Sequence, residues 1–189
     1  MSKAFDKLNR YALFIKLMNR NCPLTLINIL ECWYEKIFAC VKWGNCFSLF
    51  VKLMTGTHQG GILSPCLFAV FINDVIEKLK SSSLGCHIRN ICFNAFMYAD
   101  DLLLASISLS DLQIMIDICK VELDWLDMTI NVKKSMCMRI GKRFNIATSD
   151  IYLDGKPINW CAEIKYLGLY IVAAITFKCN LHNAKMKFF

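Results

Sequence analysis

The stretch Phe96-Met97-Tyr98-Ala99-Asp100-Asp101-Leu102-Leu103-Leu104 decides how this chain is read. Two adjacent carboxylates lie between two apolar runs. Like charges side by side repel, and both are costly to desolvate. Inside a strand they would be buried with their neighbours. At the tip of a hairpin both reach one edge of a sheet. A divalent cation would offset their repulsion, and Mg²⁺ in particular takes oxygen ligands, often one or two carboxylates plus substrate phosphates. On this string alone two readings stand side by side: a solvated Asp-Asp turn and a metal-binding pair.

Outward from the pair, residues 86–106 read as two strand-like runs. Upstream, Thr55–Gly61 is a glycine-rich loop. It is followed by Ser64-Pro65, which predicts a helix start with serine as cap and proline in the first turn. That helix runs to about Lys80 and should bury Phe68, Phe71, Ile72, Val75 and Leu79. Earlier still, apolar spacing predicts one helix over 7–20, with Leu8, Tyr11, Ala12, Ile15 and Met18 inward. A second begins near Thr25, a plausible cap, with Leu26, Ile29, Leu30, Trp33 and Ile37 inward. Gly44-Asn45 marks a turn between extended pieces at 39–43 and 46–54.

Downstream, Ser110 and Gln113 have the spacing of a capping box. The helix they open should bury Leu112, Met115, Ile116, Cys119, Leu123 and Leu126. Met136, Met138 and Ile140 alternate with Cys137 and Arg139 as in a strand. Asp154-Gly155 signals a hairpin, and 164–172 reads as a last apolar strand. The order of elements fits the α+β class, with helices on one face of a mainly antiparallel sheet.

Composition narrows the function classes. The chain has 189 residues, is 56% hydrophobic and 20% charged, and has a net charge of +7. Disorder is excluded by the apolar content. The longest apolar runs, such as Tyr170–Ile175, fall far short of the roughly 18–20 residues of a spanning helix, so no membrane partner is expected. The eleven cysteines show no C-x-x-C spacing and read as reduced core residues rather than a zinc site or a disulfide framework. No signal-peptide pattern opens the chain. An intracellular, nuclear or cytoplasmic, setting is therefore favoured over secretion. Residues 1–80 carry 10 Lys and Arg against 5 Asp and Glu, a basic bias compatible with a polyanionic partner.

Five blocks in order resemble the reverse transcriptase domain of non-LTR (LINE-type) retrotransposons. Ser2-Lys3-Ala4-Phe5-Asp6 is similar to the end of the D-x-S-K-A-F-D motif. Thr57-His58-Gln59-Gly60-Gly61-Ile62-Leu63-Ser64-Pro65 is similar to R-Q-G-x-x-L-S-P. Tyr98-Ala99-Asp100-Asp101 is the Y-A-D-D signature. Asn131-Val132-Lys133-Lys134-Ser135 resembles N-x-x-K-[ST], and Lys165-Tyr166-Leu167-Gly168 resembles the K-Y-L-G of the primer grip.

The resemblance implies an RNA-directed DNA polymerase whose palm has a ferredoxin-like antiparallel sheet with helices on one face. It implies an RNA template, a DNA primer and deoxynucleoside triphosphates as partners, and two Mg²⁺ ions as cofactor. It assigns Asp100 and Asp101 to the metals, Lys134 to pyrophosphate departure, Phe5, Gln59 and Gly60 to the incoming nucleotide, and Tyr166, Leu167 and Gly168 to the primer end.

The departures matter as much. The family's first motif opens with an aspartate two positions before its serine, and here only Met1 precedes Ser2. That ligand would lie before Met1. His58 stands where arginine is usual. The expectation is a palm fragment over 1–175 and the beginning of a thumb or connection region over 176–189. Fingers and thumb would be largely outside the chain, as would any endonuclease portion. Such a fragment would be inactive alone, and the competing expectation is a non-catalytic nucleic-acid- or partner-binding remnant.

Overall fold

A computed structural model describes residues 4–57 and 60–181. The chain forms two compact units that divide between Thr129 and Ile130.

The first unit opens with two helices, α1 (Ala4–Lys7) and α2 (Arg10–Asn19), where one helix is predicted over 7–20. The break is chemical. Asn9 takes an extended backbone, and its side chain accepts a hydrogen bond from the Ala12 amide at 3.2 Å, so a new helix starts there. Helix α3 (Leu24–Glu35) follows Pro23, which occupies the cap position without a side-chain cap bond. Thr25, the expected cap, lies inside the helix.

The inward faces of α2 and α3 also differ from the predicted ones. Helix α2 buries Arg10, Leu13, Phe14, Lys16 and Leu17, while Tyr11, Ile15 and Met18 are exposed. Helix α3 buries Ile27, Leu30 and Tyr34, while Leu26, Ile29 and Trp33 are exposed. Both helices carry apolar residues on more than one face, so the period alone does not choose between them.

A β-ribbon comes next. Its outer rung pairs β1 (Phe38–Ala39) with a later strand. Its inner rung pairs β2 (Lys42–Trp43) with β3 (Cys46–Phe47) across the predicted Gly44-Asn45 turn. The partner of β1 is β4 (Val51–Lys52). Helix α4 (Ser64–Ser81) then buries Phe68, Phe71, Ile72, Val75 and Leu79, as expected, although Leu63 rather than Ser64 holds the cap position and Pro65 sits at the second residue. Two hairpins follow, β5 (Cys86–Ile88) with β6 (Ile91–Phe93), and β7 (Ala95–Tyr98) with β8 (Asp101–Leu104). Helix α5 (Leu109–Trp125) closes the unit. Its cap is Ser108, whose Oγ accepts from the Asp111 amide, and not Ser110. Met115, Ile116, Cys119, Leu123 and Leu126 are buried as predicted, and Leu112 half-buried.

The second unit begins with a 3₁₀ turn at Val132–Lys134. Strand β9 (Met136–Cys137) is shorter than predicted, with Cys137 buried and Met136 exposed. Strands β10 (Tyr152–Leu153) and β11 (Lys156–Pro157) form the predicted hairpin, with Asp154 at φ 54° and Gly155 at φ 69°. These are the left-handed values that a two-residue hairpin loop needs. Strand β12 (Asn159–Trp160) pairs parallel to β9. The predicted single strand at 164–172 is instead a hairpin, β13 (Glu163–Tyr166) with β14 (Leu169–Val172), and a third strand, β15 (Lys178–Asn180), pairs with β14. The break falls at Leu167 and Gly168, whose φ values of 48° and 83° turn the chain back on itself.

The chain is thus mixed α and β. Its described strands form small separate sheets, the largest of three strands, rather than one continuous sheet.

Candidate functional site

The two carboxylates sit where their repulsion predicts. Tyr98 pairs with Asp101 across the β7–β8 hairpin, so Ala99 and Asp100 are its two turn residues. Ala99 takes φ 51°, a left-handed conformation that costs a residue with a Cβ about 1–2 kcal/mol. Backbone strain of this kind is found where a tight turn presents functional groups. Asp100 is half-buried and Asp101 exposed.

The hairpin is fixed at its base. Asn94 is buried, and its Nδ2 donates to the Leu79 carbonyl near the end of α4 at 2.6 Å. Its own carbonyl accepts from the Ala105 amide at 2.8 Å, continuing the β7–β8 ladder. Gly85 lies against it at φ 124°, and a Cβ there would come within 2.5 Å of the Asn94 Cβ. The carboxylates are therefore hung on α4 through one buried amide. Nothing in the apolar pattern flagged Asn94, apart from its being a lone polar residue between two apolar runs.

The other end of α4 carries Phe5. Its ring stacks on Phe68 with centroids 4.5 Å apart and 27° between planes, and it is half-buried. Gly56 presses against the same segment: at φ 81°, a Cβ would meet the Asp6 carbonyl oxygen at 2.7 Å and the Phe5 carbonyl oxygen at 2.9 Å. The Gly56 amide donates to Leu8 O, and the Thr57 amide to Phe5 O. So the loop leading into α4 and the segment carrying Phe5 are locked backbone to backbone.

Arg10 holds this junction, and the sequence reading missed it. It is 9% exposed. Its guanidinium donates to four carbonyls: Gly56 at 3.0 Å, Tyr34 at 3.1 Å, Leu53 at 2.5 Å and Thr55 at 3.2 Å. It also lies 4.8 Å from the centre of the Tyr34 ring. Burial lowers the Arg10 pKa and raises that of Tyr34, with the cation–phenol interaction opposing both shifts. A planar fork with five donors can satisfy several carbonyls at once, which an ammonium cannot. The available signal was a cation in the first turn of a helix, where the dipole disfavours it.

Gly60 lies further along the same loop at φ 86° with open space where a Cβ would be, so its glycine serves the backbone turn. Thr57 is buried, and among the described residues its hydroxyl has no hydrogen-bond partner, a group that a water or ligand would satisfy. Ser2, Lys3, His58 and Gln59 lie outside the described residues, and so does the Gln59 assignment.

The remaining motif residues belong to the second unit. The Asn131 carboxamide oxygen accepts from the Lys134 amide at 3.2 Å, and the Ser135 hydroxyl donates to the Asn131 carbonyl at 2.9 Å. The N-x-x-K-S spacing is thus a 3₁₀ turn closed by its first and last residues, and it leaves the Lys134 side chain exposed. Tyr166, Leu167 and Gly168 form the tip of the β13–β14 hairpin, with Tyr166 half-buried and Leu167 exposed.

Among the described residues, no group of three or more His, Cys, Asp or Glu side chains is gathered closely enough to hold a metal ion. Asp100 and Asp101 offer the hard oxygen donors that suit Mg²⁺, as a pair rather than a full ligand set. No described helix is long and apolar enough to cross a membrane.

Residues 1–171 match the family described as reverse transcriptase (RNA-dependent DNA polymerase). The chain is 25% identical over 194 residues to the retrovirus-related Pol polyprotein from type-2 retrotransposable element R2DM of Drosophila melanogaster, covering 95% of this chain and 18% of that protein. It is 24% identical over 177 residues to the retrovirus-related Pol polyprotein from type-1 retrotransposable element R2 of Bradysia coprophila, covering 88% of this chain and 20% of that protein. The chain thus spans about a fifth of the length of these curated relatives. With the Tyr98–Asp101 hairpin, the Gly60 loop and the Phe5 segment all mounted on one helix, and with that match running through both units, the chain belongs to the reverse transcriptase family.

Proposed function

We propose that this domain serves RNA-templated DNA synthesis by nucleotidyl transfer, with the first unit and its α4-mounted hairpin as part of a polymerase palm. The observation that carries the proposal is Asp100 in a strained two-residue tip with Asp101 beside it at the start of β8, on a hairpin anchored through Asn94 to α4. Divalent metal ions bound at that tip would supply activation of a primer 3′-hydroxyl and charge neutralisation on the triphosphate. Asp100 and Asp101 contribute oxygen ligands and hold them on a rigid hairpin. Phe5, Gln59 and Gly60 serve the incoming nucleotide, with Phe5 oriented by its stack on Phe68. Lys134 supplies a cation for the departing pyrophosphate, and Tyr166, Leu167 and Gly168 steady the primer end. Positioning and charge, rather than covalent catalysis, are what the side chains provide.

The pair is not a full ligand set, so these 189 residues alone are proposed to lack polymerase activity. The test has two parts. Mn²⁺ titration followed by electron paramagnetic resonance should show binding that Asp100→Asn weakens by about tenfold or more, and unchanged binding in that variant overturns the assignment of the metal pair. Primer extension on a homopolymeric RNA template should show no incorporation by the 189-residue chain above the Asp100→Asn control. Incorporation above that control overturns the inactivity. The second reading, a nucleic-acid-binding remnant without chemistry, is favoured by the basic bias of residues 1–80, 10 Lys and Arg against 5 Asp and Glu. It predicts RNA binding that is indifferent to Asp100→Asn and to divalent metal.

A further inference from the structure

The β1–β4 ribbon projects aromatic rings and ammonium groups into solvent with no carboxylate near them in sequence. No Asp or Glu occurs between Glu35 and Asp74, while Lys36, Lys42 and Lys52 fall in that interval. Every residue from Val41 to Thr55 is exposed. Two rungs of the ribbon place a lysine directly opposite a phenylalanine: Phe38 opposite Lys52, and Lys42 opposite Phe47. Residues opposite each other in an antiparallel ladder share a face. In the second rung the Lys42 ammonium lies 5.5 Å from the centre of the Phe47 ring. Phe38 is 55% exposed, Phe47 63%, and Trp43, beside the turn, 85%.

Contiguous exposed rings of this kind mark interaction surfaces. A purely apolar partner would explain the rings but not the lysines set against them. A polyanion with flat, stackable groups explains both. Aromatic rings take unpaired bases on their faces without regard to sequence, and neighbouring cations track the backbone phosphates. The ribbon is also a shape that nucleic acid accommodates, since a two-stranded β-ribbon fits a groove or lies along a strand.

We infer that the β1–β4 ribbon is a single-stranded nucleic-acid contact surface, with Phe38 and Phe47 stacking on bases and Lys42 and Lys52 pairing with phosphates. It rests on the polymerase reading and adds to it a contact remote in sequence from the carboxylate tip. It holds a single strand, RNA or DNA, by its shared base-and-phosphate chemistry.

The test is fluorescence anisotropy with a labelled oligouridylate and an oligothymidylate of equal length, titrated with the 189-residue chain. Phe38→Ala with Phe47→Ala should weaken binding of both oligonucleotides by about tenfold or more, as expected for lost base–aromatic stacking. Lys42→Met with Lys52→Met should flatten the dependence of log affinity on log salt by about 1.4, two phosphates at roughly 0.7 each for a single strand. These residues are exposed, so the variants should keep the wild-type urea midpoint. Photocrosslinking from 5-iodouracil to Phe38 or Phe47 gives a second readout in the unmodified chain. Wild-type affinity and salt slope in both double variants, with crosslinks elsewhere, overturn the inference and leave the polymerase reading intact. Oligonucleotide binding that is absent at low salt overturns both. Self-association of the chain that the phenylalanine variants abolish, with nucleic-acid binding unchanged, assigns the ribbon to a second copy of the chain and overturns the inference.

Discussion

Helices α4 and α5 bury apolar stripes and share one ion pair, Lys78 with Glu122, whereas α2 turns two charged side chains, Arg10 and Lys16, inward. On α4, Phe71, Val75 and Leu79 are fully enclosed, and on α5 so is Met115. On α2, two charged residues go inward. Arg10 reaches four carbonyls of neighbouring segments, and the Lys16 ammonium pairs with Asp74 of α4 at 2.5 Å and lies 5.8 Å from the Phe71 ring. Tyr11, Ile15 and Ile29 meanwhile face solvent. A helix with one apolar stripe has one way to pack. A helix apolar on several sides has more than one, and here specific polar contacts accompany the face that is buried.

The sharpest way to break this contrast is to truncate one apolar side chain from each class. Phe71→Ala should cost about 3–5 kcal/mol in urea denaturation, the range for a fully buried aromatic. Ile15→Ala should stay within about 0.5 kcal/mol, as for an exposed site. Similar losses at both positions would mean that the exposed face of α2 is covered in solution.

Arg10→Met should cost about 2–3 kcal/mol, because it strands buried carbonyls, and Arg10→Lys should recover only part of that. Hydrogen exchange at the Gly56 and Thr57 amides should quicken in step. An Arg10→Lys variant as stable as wild type would show that charge, not the fork, holds the junction.

Ser108→Ala should cost about 1 kcal/mol and Ser110→Ala close to none, which locates the α5 cap by measurement. The remaining prediction concerns thiols. Burial pushes Cys119 up to about 12 and Cys137 up to about 11, the latter also raised by Cys161. Both therefore stay protonated in the folded chain where the unfolded chain, with thiols near 9, has begun to lose the proton. Stability should be undiminished below pH 9 and fall as pH rises through the window from 9 to about 12. At pH 8 these two thiols should be alkylated more slowly than exposed Cys32, Cys46 and Cys66.

How much was legible follows from the same physics. The tip at Ala99-Asp100 was readable because two adjacent charges have few places to go. The Asp154-Gly155 and Gly44-Asn45 turns were readable because few residues tolerate positive φ. The break at Leu167-Gly168 was missed because leucine hides the same backbone geometry inside an apolar run. The α2 face was misread because hydrophobic period carries no information about a buried arginine and its carbonyls. Of the candidate site, the carboxylate pair and Phe5 could be placed by motif. The amide that anchors the pair and the cation that locks the loop are long-range contacts, with Arg10 and Gly56 lying 46 residues apart.

Helix α4 also sets a mechanical tolerance. Phe68, beneath Phe5, and Leu79, which holds Asn94, are eleven residues apart on it, or about 16 Å along the axis. A tilt of about 5° over that lever shifts one end against the other by roughly 1.4 Å, on the scale of the ~1 Å misplacement that can cost a reaction a hundredfold. A substitution far from either end that lets α4 rock would then shift Phe5 against the Asp100–Asp101 hairpin while leaving every motif residue unchanged.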